Sequence, residues 1–398
     1  MNAAAWRLTL SASALMGLVM GGRSTFGLFV SPLNTASGIG LAALSFALAL
    51  GQLGIGLAQP LIGSWADRHG AARVVAGGAL LLTLAMAVPA MWPLPVLLPV
   101  SLVISAVAGS AVGSNGVLVG EVGRTVSPAR AGLAFGVIGA GASAGQLVLG
   151  PSIQWAIAHL GWPTALLTMA SLSLVALPLA LAFRRPAAAK QQPPKSSHPI
   201  ADVLRQWQFW RVAVSFGVCG FHIAFLAVHM PGVIERCGLP ISLAGTWIAV
   251  AGAANIAGSI AIGLALKRHD AGVLLAGLYL TRALGIAAVL VFPATSMLML
   301  GFALFMGASH MGTLPPTVQL ISRQHGVQRL GTLIGIVMLV HQVGSFSGIW
   351  LGGWAAQVTG SDQLLWCIDA GLALCAAALV WPGAKATEAR IGGAAASG

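Results

Sequence analysis

The sequence predicts an all-α membrane protein, with twelve transmembrane helices arranged as two pseudo-symmetric six-helix halves. Three observations predict it. Hydrophobic residues make up 57% of the 398-residue chain and charged residues only 7%, against roughly a quarter charged in soluble domains. Apolar runs of the ~20 residues needed to cross the hydrocarbon recur along the whole chain. Lys and Arg gather in alternate loops, the orientation signal of a polytopic protein.

The runs lie at about 8–31, 42–64, 74–91, 95–119, 131–158, 162–183, 207–231, 243–266, 272–292, 296–319, 331–357 and 363–382, and we number them spans 1 to 12. Span 1 follows Arg7 as a signal peptide would, but it runs on to Phe29 without a cleavage site, so it counts as a helix. Between spans 2 and 3, Gly63-Ser-Trp-Ala-Asp67-Arg68-His-Gly70-Ala-Ala-Arg73 reads as a tight polar hairpin. Of the 20 basic residues, Arg23 and Arg282 fall within spans and Arg236 beyond span 7, whereas the rest share the side of both termini. That side is expected to be the cytoplasm of a bacterial-type inner (plasma) membrane.

Arg184–Gln206, with Pro193-Pro194, Gln191-Gln192 and Ser196-Ser197, has no apolar face and reads as a flexible linker. It divides an N-terminal half, 1–183, from a C-terminal half, 207–398, with the linker at 184–206. The halves look alike at an offset of about 199. Arg130-Ala-Gly132-Leu-Ala-Phe-Gly136 resembles Arg329-Leu-Gly331-Thr-Leu-Ile-Gly335, and Gly145 falls opposite Gly344.

Composition also excludes functions. The net charge of +12 sits in short loops, without the basic patch and interleaved aromatics of a nucleic-acid binder. Cys219, Cys237, Cys367 and Cys375 stand singly, with no C-x-x-C, and read as buried apolar thiols without a metal or disulfide framework. No nucleophile–base pair, zinc spacing or phosphate loop points to an enzyme, and no cofactor is implied.

Gly63-x-x-x-Asp67-Arg68-x-Gly70, the twelve spans and the central linker together resemble the major facilitator superfamily of transporters. Trp65, Ala71 and Ala72 depart from its signature loop, which has an aliphatic residue and basic residues there. Gly22-Arg23-Ser-Thr-Phe26-Gly27 in span 1, Gln59-Pro60-Leu-Ile-Gly63 in span 2 and His341-Gln342-Val-Gly344 in span 11 are similar to the monocarboxylate-transporter and oxalate/formate-antiporter branch. The resemblance implies a secondary transporter with its binding site near the midplane between the halves. The expected cargo is a small organic anion, a monocarboxylate, moved with a proton or in exchange for a counter-anion by a monomer in the bilayer. Span 8 reads Ala253-Ala-Asn255-Ile-Ala-Gly258 where relatives of that branch carry an Arg, which argues against a dicarboxylate. The alternative is a proton-driven exporter of amphipathic drugs or metabolites, suggested by Gly141, Gly145, Gly150 and Pro151 in span 5.

Intramembrane polar residues nominate the site, because a charge at mid-bilayer costs at least ~2.5 kcal/mol. Arg23 is a fixed anion receptor able to fork onto a carboxylate; the alternative is an Arg bonded to neighbouring helix carbonyls. Asn115, His222, His310 and His341 are substrate-binding candidates, set against the plain reading of packing residues. His222, opposite Arg23 at the repeat offset, and Asp369 are the proton-coupling candidates. His229 shares a face with His222 near the outer end. Arg282 and Asp369 lie on spans the family places peripherally, so pairing with each other, or snorkelling, is expected of them. Asp67, Arg68 and Arg73, with Glu121 and Arg124, form the expected cytoplasmic gate.

Overall fold

The computed structural model describes residues 3–184, 200–326 and 330–382; most of the expected linker lies outside them. Among the described residues, eleven helical stretches are long and apolar enough to cross a membrane. One of them, Arg130–Phe183, has 54 residues, about 80 Å at 1.5 Å per residue, against a hydrocarbon core of ~30 Å. It is two spans joined at Gly161, whose φ of 80° and ψ of 160° break the helix in a conformation open to glycine. Spans 5 and 6 therefore meet without a loop, and the total is twelve.

In order, span 1 comprises Ala3–Ser24 and Phe26–Ser37, span 2 is Leu41–His69 and span 3 is Ala71–Met91. Span 4 comprises Leu97–Val112 and Asn115–Thr125, and spans 5 and 6 begin at Pro128. Span 7 is Trp207–Arg236, span 8 Ser242–Ala265 and span 9 Ala271–Val291. Span 10 comprises Ser296–His310, a 3-10 turn at Met311–Thr313 and Leu314–His325, followed by span 11 at Leu330–Thr359 and span 12 at Gln363–Val380. One expectation is corrected here. The chain does not leave the helix at Gly63; it stays helical to His69 and reverses at Gly70 alone, where φ is 89°. Polar side chains are no obstacle to a helix that has already left the hydrocarbon, so only the reversal itself demands glycine.

Contacts gather the described chain into two compact units that do not follow the sequence halves. The first contains residues 3–184, 224–253 and 346–362; the second contains 200–223, 254–326, 330–345 and 363–382. In the first unit spans 1 and 5 touch backbone to backbone: a Cβ on Gly145 would strike Gly17, and one on Gly21 would strike Gly145. Such approach is how membrane helices associate where lipid supplies no hydrophobic drive. This unit also binds the ends of spans 7, 8 and 11 to spans 1, 5 and 2. Gly27 meets the carbonyls of Ala227 and Val228, Gly150 meets Gly245, and Gly353 meets Ser45. The Gln357 Oε1 accepts from the Ala42 backbone N–H at 2.8 Å, satisfying a free amide at the start of span 2.

The second unit repeats the device. Gly344 of span 11 lies on the Gly217 carbonyl of span 7, and Gly220 on that of His341. Gly258 of span 8 lies on Ala308 of span 10. Around these contacts sit the buried Phe209, Phe216, Tyr279, Leu333 and Val337.

Candidate functional site

In the first unit Arg23 occupies the last turn of Ala3–Ser24, immediately before a one-residue interruption at Thr25. The Thr25 hydroxyl closes that interruption by donating to Gly22 O at 2.7 Å. The Arg23 guanidinium is half-buried and donates to Oε1 of Gln52 on span 2. The described partner of this charge is thus a neutral amide, which leaves the positive charge itself uncancelled. Span 4 is also broken, at Gly113 and Ser114, so that a new helix starts at Asn115. Ser114 accepts from the Val117 N–H at 3.4 Å and donates to Gln59 Oε1 at 3.0 Å. Asn115 is exposed beside this junction. Gln52 and Gln59, seven residues apart and so roughly on one face of span 2, were not among the site residues expected from the sequence. The signal was present, since glutamines inside an apolar span are costly to keep.

In the second unit the structure joins His222 to Asp369. Both side chains are 0% exposed, and Nδ1 of the imidazole meets Oδ1 of the carboxylate. The other polar atoms of the pair, Nε2 and Oδ2, are buried without a hydrogen-bond partner. The expected pairing of Arg282 with Asp369 is therefore corrected. Arg282, fully buried, donates from Nε to Ser309 Oγ at 3.1 Å and from Nη2 to Ser309 O at 2.8 Å, and lies 5.5 Å from the Tyr279 ring centroid. The break in span 10 supplies the cause: the 3-10 turn at Met311–Thr313 frees carbonyls at the end of Ser296–His310, and the guanidinium takes them.

The same break is capped from span 8, where Asn255 Oδ1 accepts from the Met311 N–H at 3.1 Å. Thr313 Oγ1 lies 3.3 Å from Cys219 Sγ. His310 and His341 are half-buried, His341 against the Phe216 ring at 4.9 Å between centroids. His222 stands apart from these two in being closed off by its carboxylate.

Other candidates resolve into packing. His229 is buried in the first unit and bonds Ile349 O at 2.8 Å, with Gly352 against its ring. In span 5, Gly141 and Gly145 lie on span 1 and Gly150 on span 8, so close packing accounts for all three. The thiols depart from expectation, because Cys219 alone of the four is buried. Cys367 and Cys375 sit on the outer face of span 12, where an apolar bilayer suits a thiol as well as a core would. Asp67, Arg68 and Arg73 are exposed and make no ion pair among the described residues, while Arg124 pairs with Glu121 at 2.7 Å. A cavity of about 670 Å³ opens among the ends of spans 2, 3 and 6, with Arg68, Arg73 and Arg184 in its wall.

Among the described residues, twelve apolar spans, with spans 1, 4 and 10 interrupted in mid-course beside polar side chains, define a polytopic transporter architecture. Residues 12–349 match the Major Facilitator Superfamily, and the chain belongs to that family. It is 26% identical over 353 residues to the uncharacterized MFS-type transporter YcxA of Bacillus subtilis (strain 168), covering 83% of each chain. Among solved structures it is similar to the nucleoside transporter NupG, with a TM-score of 0.75 and 14% identity over 96% of this chain and 98% of that one. It is also similar to a bacterial homolog of the human lysosomal transporter Spinster in an inward-facing, unoccupied conformation. That match has a TM-score of 0.71 and 15% identity, over 96% and 95% of the two chains. The structural likenesses establish the fold, and membership of the family makes the chain a secondary transporter rather than an enzyme.

Proposed function

We propose that this transporter carries a small organic anion, a monocarboxylate, across the membrane by alternating access, and that Arg23 receives the carboxylate. One observation carries the reading: a half-buried guanidinium in the middle of span 1 whose described partner is the uncharged Gln52. A guanidinium keeps its charge at any physiological pH and presents paired N–H donors that match a carboxylate. Gln52 orients the group without cancelling it. Asn115, His310 and His341 remain the candidates for contacts to the rest of the substrate. The bias of the basic residues supports a cytoplasmic side for both termini and for a gate at Asp67, Arg68 and Arg73. The span 5 glycines that suggested the exporter make helix contacts, a use that close packing alone explains, and a fixed cation at Arg23 suits an anionic cargo better than a cationic one.

The test is uptake of radiolabelled pyruvate, lactate and formate into proteoliposomes by the wild type and Arg23→Gln. A hydrogen bond to a charged group contributes about 1.5–3 kcal/mol, so uptake at low substrate should fall about 10- to 100-fold. Equal uptake by a correctly inserted variant overturns the assignment. Transport of lipophilic cations instead would revive the exporter.

A further inference from the structure

We propose that the His222–Asp369 pair is a dedicated proton-binding site, occupied and emptied once per transport cycle. This rests on the anion reading for its purpose, because it supplies the charge that an anion symporter must balance. The observation behind it is the two buried atoms of the pair, Oδ2 and Nε2, that have no partner, together with complete burial of both side chains.

The pair can hold one proton between Nδ1 and Oδ1, as imidazolium with carboxylate or as imidazole with carboxylic acid; either way its net charge is zero. Removing that proton leaves a carboxylate beside a neutral imidazole, with a net charge of −1 in a dry interior. An uncompensated buried charge is strongly disfavoured, so the closed, dry arrangement is assigned to the proton-bound pair. Release requires water to reach the pair, which means that spans 7 and 12 must part or rotate. Proton occupancy and helix position are thereby one equilibrium, as coupling requires.

The neighbouring groups leave this role to the pair. On span 7 Cys219 lies against Thr313. On span 9 Tyr279 donates its hydroxyl hydrogen to Ser215 O, and the permanently charged Arg282 is engaged by Ser309 and His310 carbonyls. On spans 10 and 11 His310 and His341 are half-buried, and on span 12 Cys367 and Cys375 are exposed. In the membrane-embedded part of this unit, among the described residues, Asp369 is the carboxylate. With one proton on the pair and one monocarboxylate on Arg23, the charges moved sum to zero and transport is electroneutral.

The deciding experiment needs no substrate. Difference infrared spectra of the purified full-length protein, recorded while pH is stepped between about 5 and 9, should show the C=O stretch of a protonated carboxyl appearing and vanishing. Asp369→Asn should abolish that band, and His222→Gln, which keeps a hydrogen bond without a second titrating group, should shift its midpoint. No titrating band, or a band that survives Asp369→Asn, overturns the proposal. The functional arm uses pyruvate as probe in proteoliposomes. Accumulation driven by a pH gradient should fall in Asp369→Asn far more than pyruvate–pyruvate exchange, raising the ratio of exchange to accumulation at least about tenfold. An unchanged ratio overturns coupling through this pair. If the wild type fails to move pyruvate, the anion reading fails, and the infrared result still decides the proton site.

Discussion

Set side by side at an offset of 199, the two halves share their packing and differ in where they keep their charges. Gly145 lies on Gly17 in one half, and Gly344 lies on Gly217 in the other. Span 4 breaks at Gly113–Ser114 and span 10 at 311–313, and Ser114 plus 199 is position 313. Above this shared frame the chemistry diverges. Position 23 holds a half-buried Arg beside an amide, and position 222 holds a fully buried His beside a carboxylate. Where the second half places Arg282 and Asp369 on spans 9 and 12, the first half has Thr83 and Ala170 on spans 3 and 6. There the Thr83 hydroxyl bonds Ser173 at 2.6 Å. Helix contacts tolerate little change because backbones touch, so they stay alike where the polar positions differ. Polar positions are free to diverge, and the proposed anion receptor stands in one half while the proposed proton site stands in the other.

The shared frame gives the largest expected effect. Gly145→Val and Gly344→Val each push a side chain into backbone that cannot rotate away, beyond the 1–3 kcal/mol of ordinary overpacking. Both should abolish recovery of folded protein. A second equivalent pair, Gly136 and Gly335, faces open space, and Val there should leave the melting temperature in detergent nearly unchanged. If the halves respond differently at either pair, the packing is not truly duplicated.

The divergent positions give a smaller, one-sided effect. Arg282→Gln removes charge-assisted hydrogen bonds to Ser309 and should cost about 1.5–3 kcal/mol. Thr83→Ala, at the matching position, removes neutral hydrogen bonds and should cost about 1 kcal/mol. Chemical denaturation of the two variants against wild type measures the difference. Comparable losses would mean that Arg282 is held no more tightly than a hydroxyl.

Which of these features could be read from the sequence follows from their physics. Span count, Gly145 opposite Gly344 and the outlying Arg23 are legible because length, spacing and the cost of intramembrane charge are properties of the linear chain. The joining of His222 to Asp369 is not, because it depends on the rotation of two helices 147 residues apart in sequence. Arg282 was mispaired for a related reason. Its partners are carbonyls released by the break in span 10, whose sequence signal is Gly312 followed by Pro315-Pro316. Gln52, which meets Arg23, and Gln59, which meets Ser114, are uncharged, and their partners lie on other spans that the linear chain does not reveal.

The smallest effect concerns an ion pair with no counterpart in the first half. Arg236, at the end of span 7, is joined to Asp362 in the turn before span 12, with Nε to Oδ2 at 3.0 Å and Nη2 to Oδ1 at 2.7 Å. The equivalent positions are Ser37 and Pro163, which hold no charge. A partly exposed pair of this kind contributes about 0.2–1 kcal/mol, so stability is a poor reporter. Cys237, next to it and outside the span, is a better one. Its thiol pKa is raised by burial and by the Asp362 carboxylate, and lowered by Arg236. Because the thiolate is the reactive form, Asp362→Asn should speed maleimide labelling of Cys237 a few-fold at pH 8. Arg236→Gln should slow it. Both are measured with Cys219, Cys367 and Cys375 replaced by Ser. Opposite shifts from the two variants would establish that the charges act as a pair on this turn. Shifts in the same direction would mean that breaking the contact merely loosens the turn, and the two halves would then differ there in sequence but not in electrostatics.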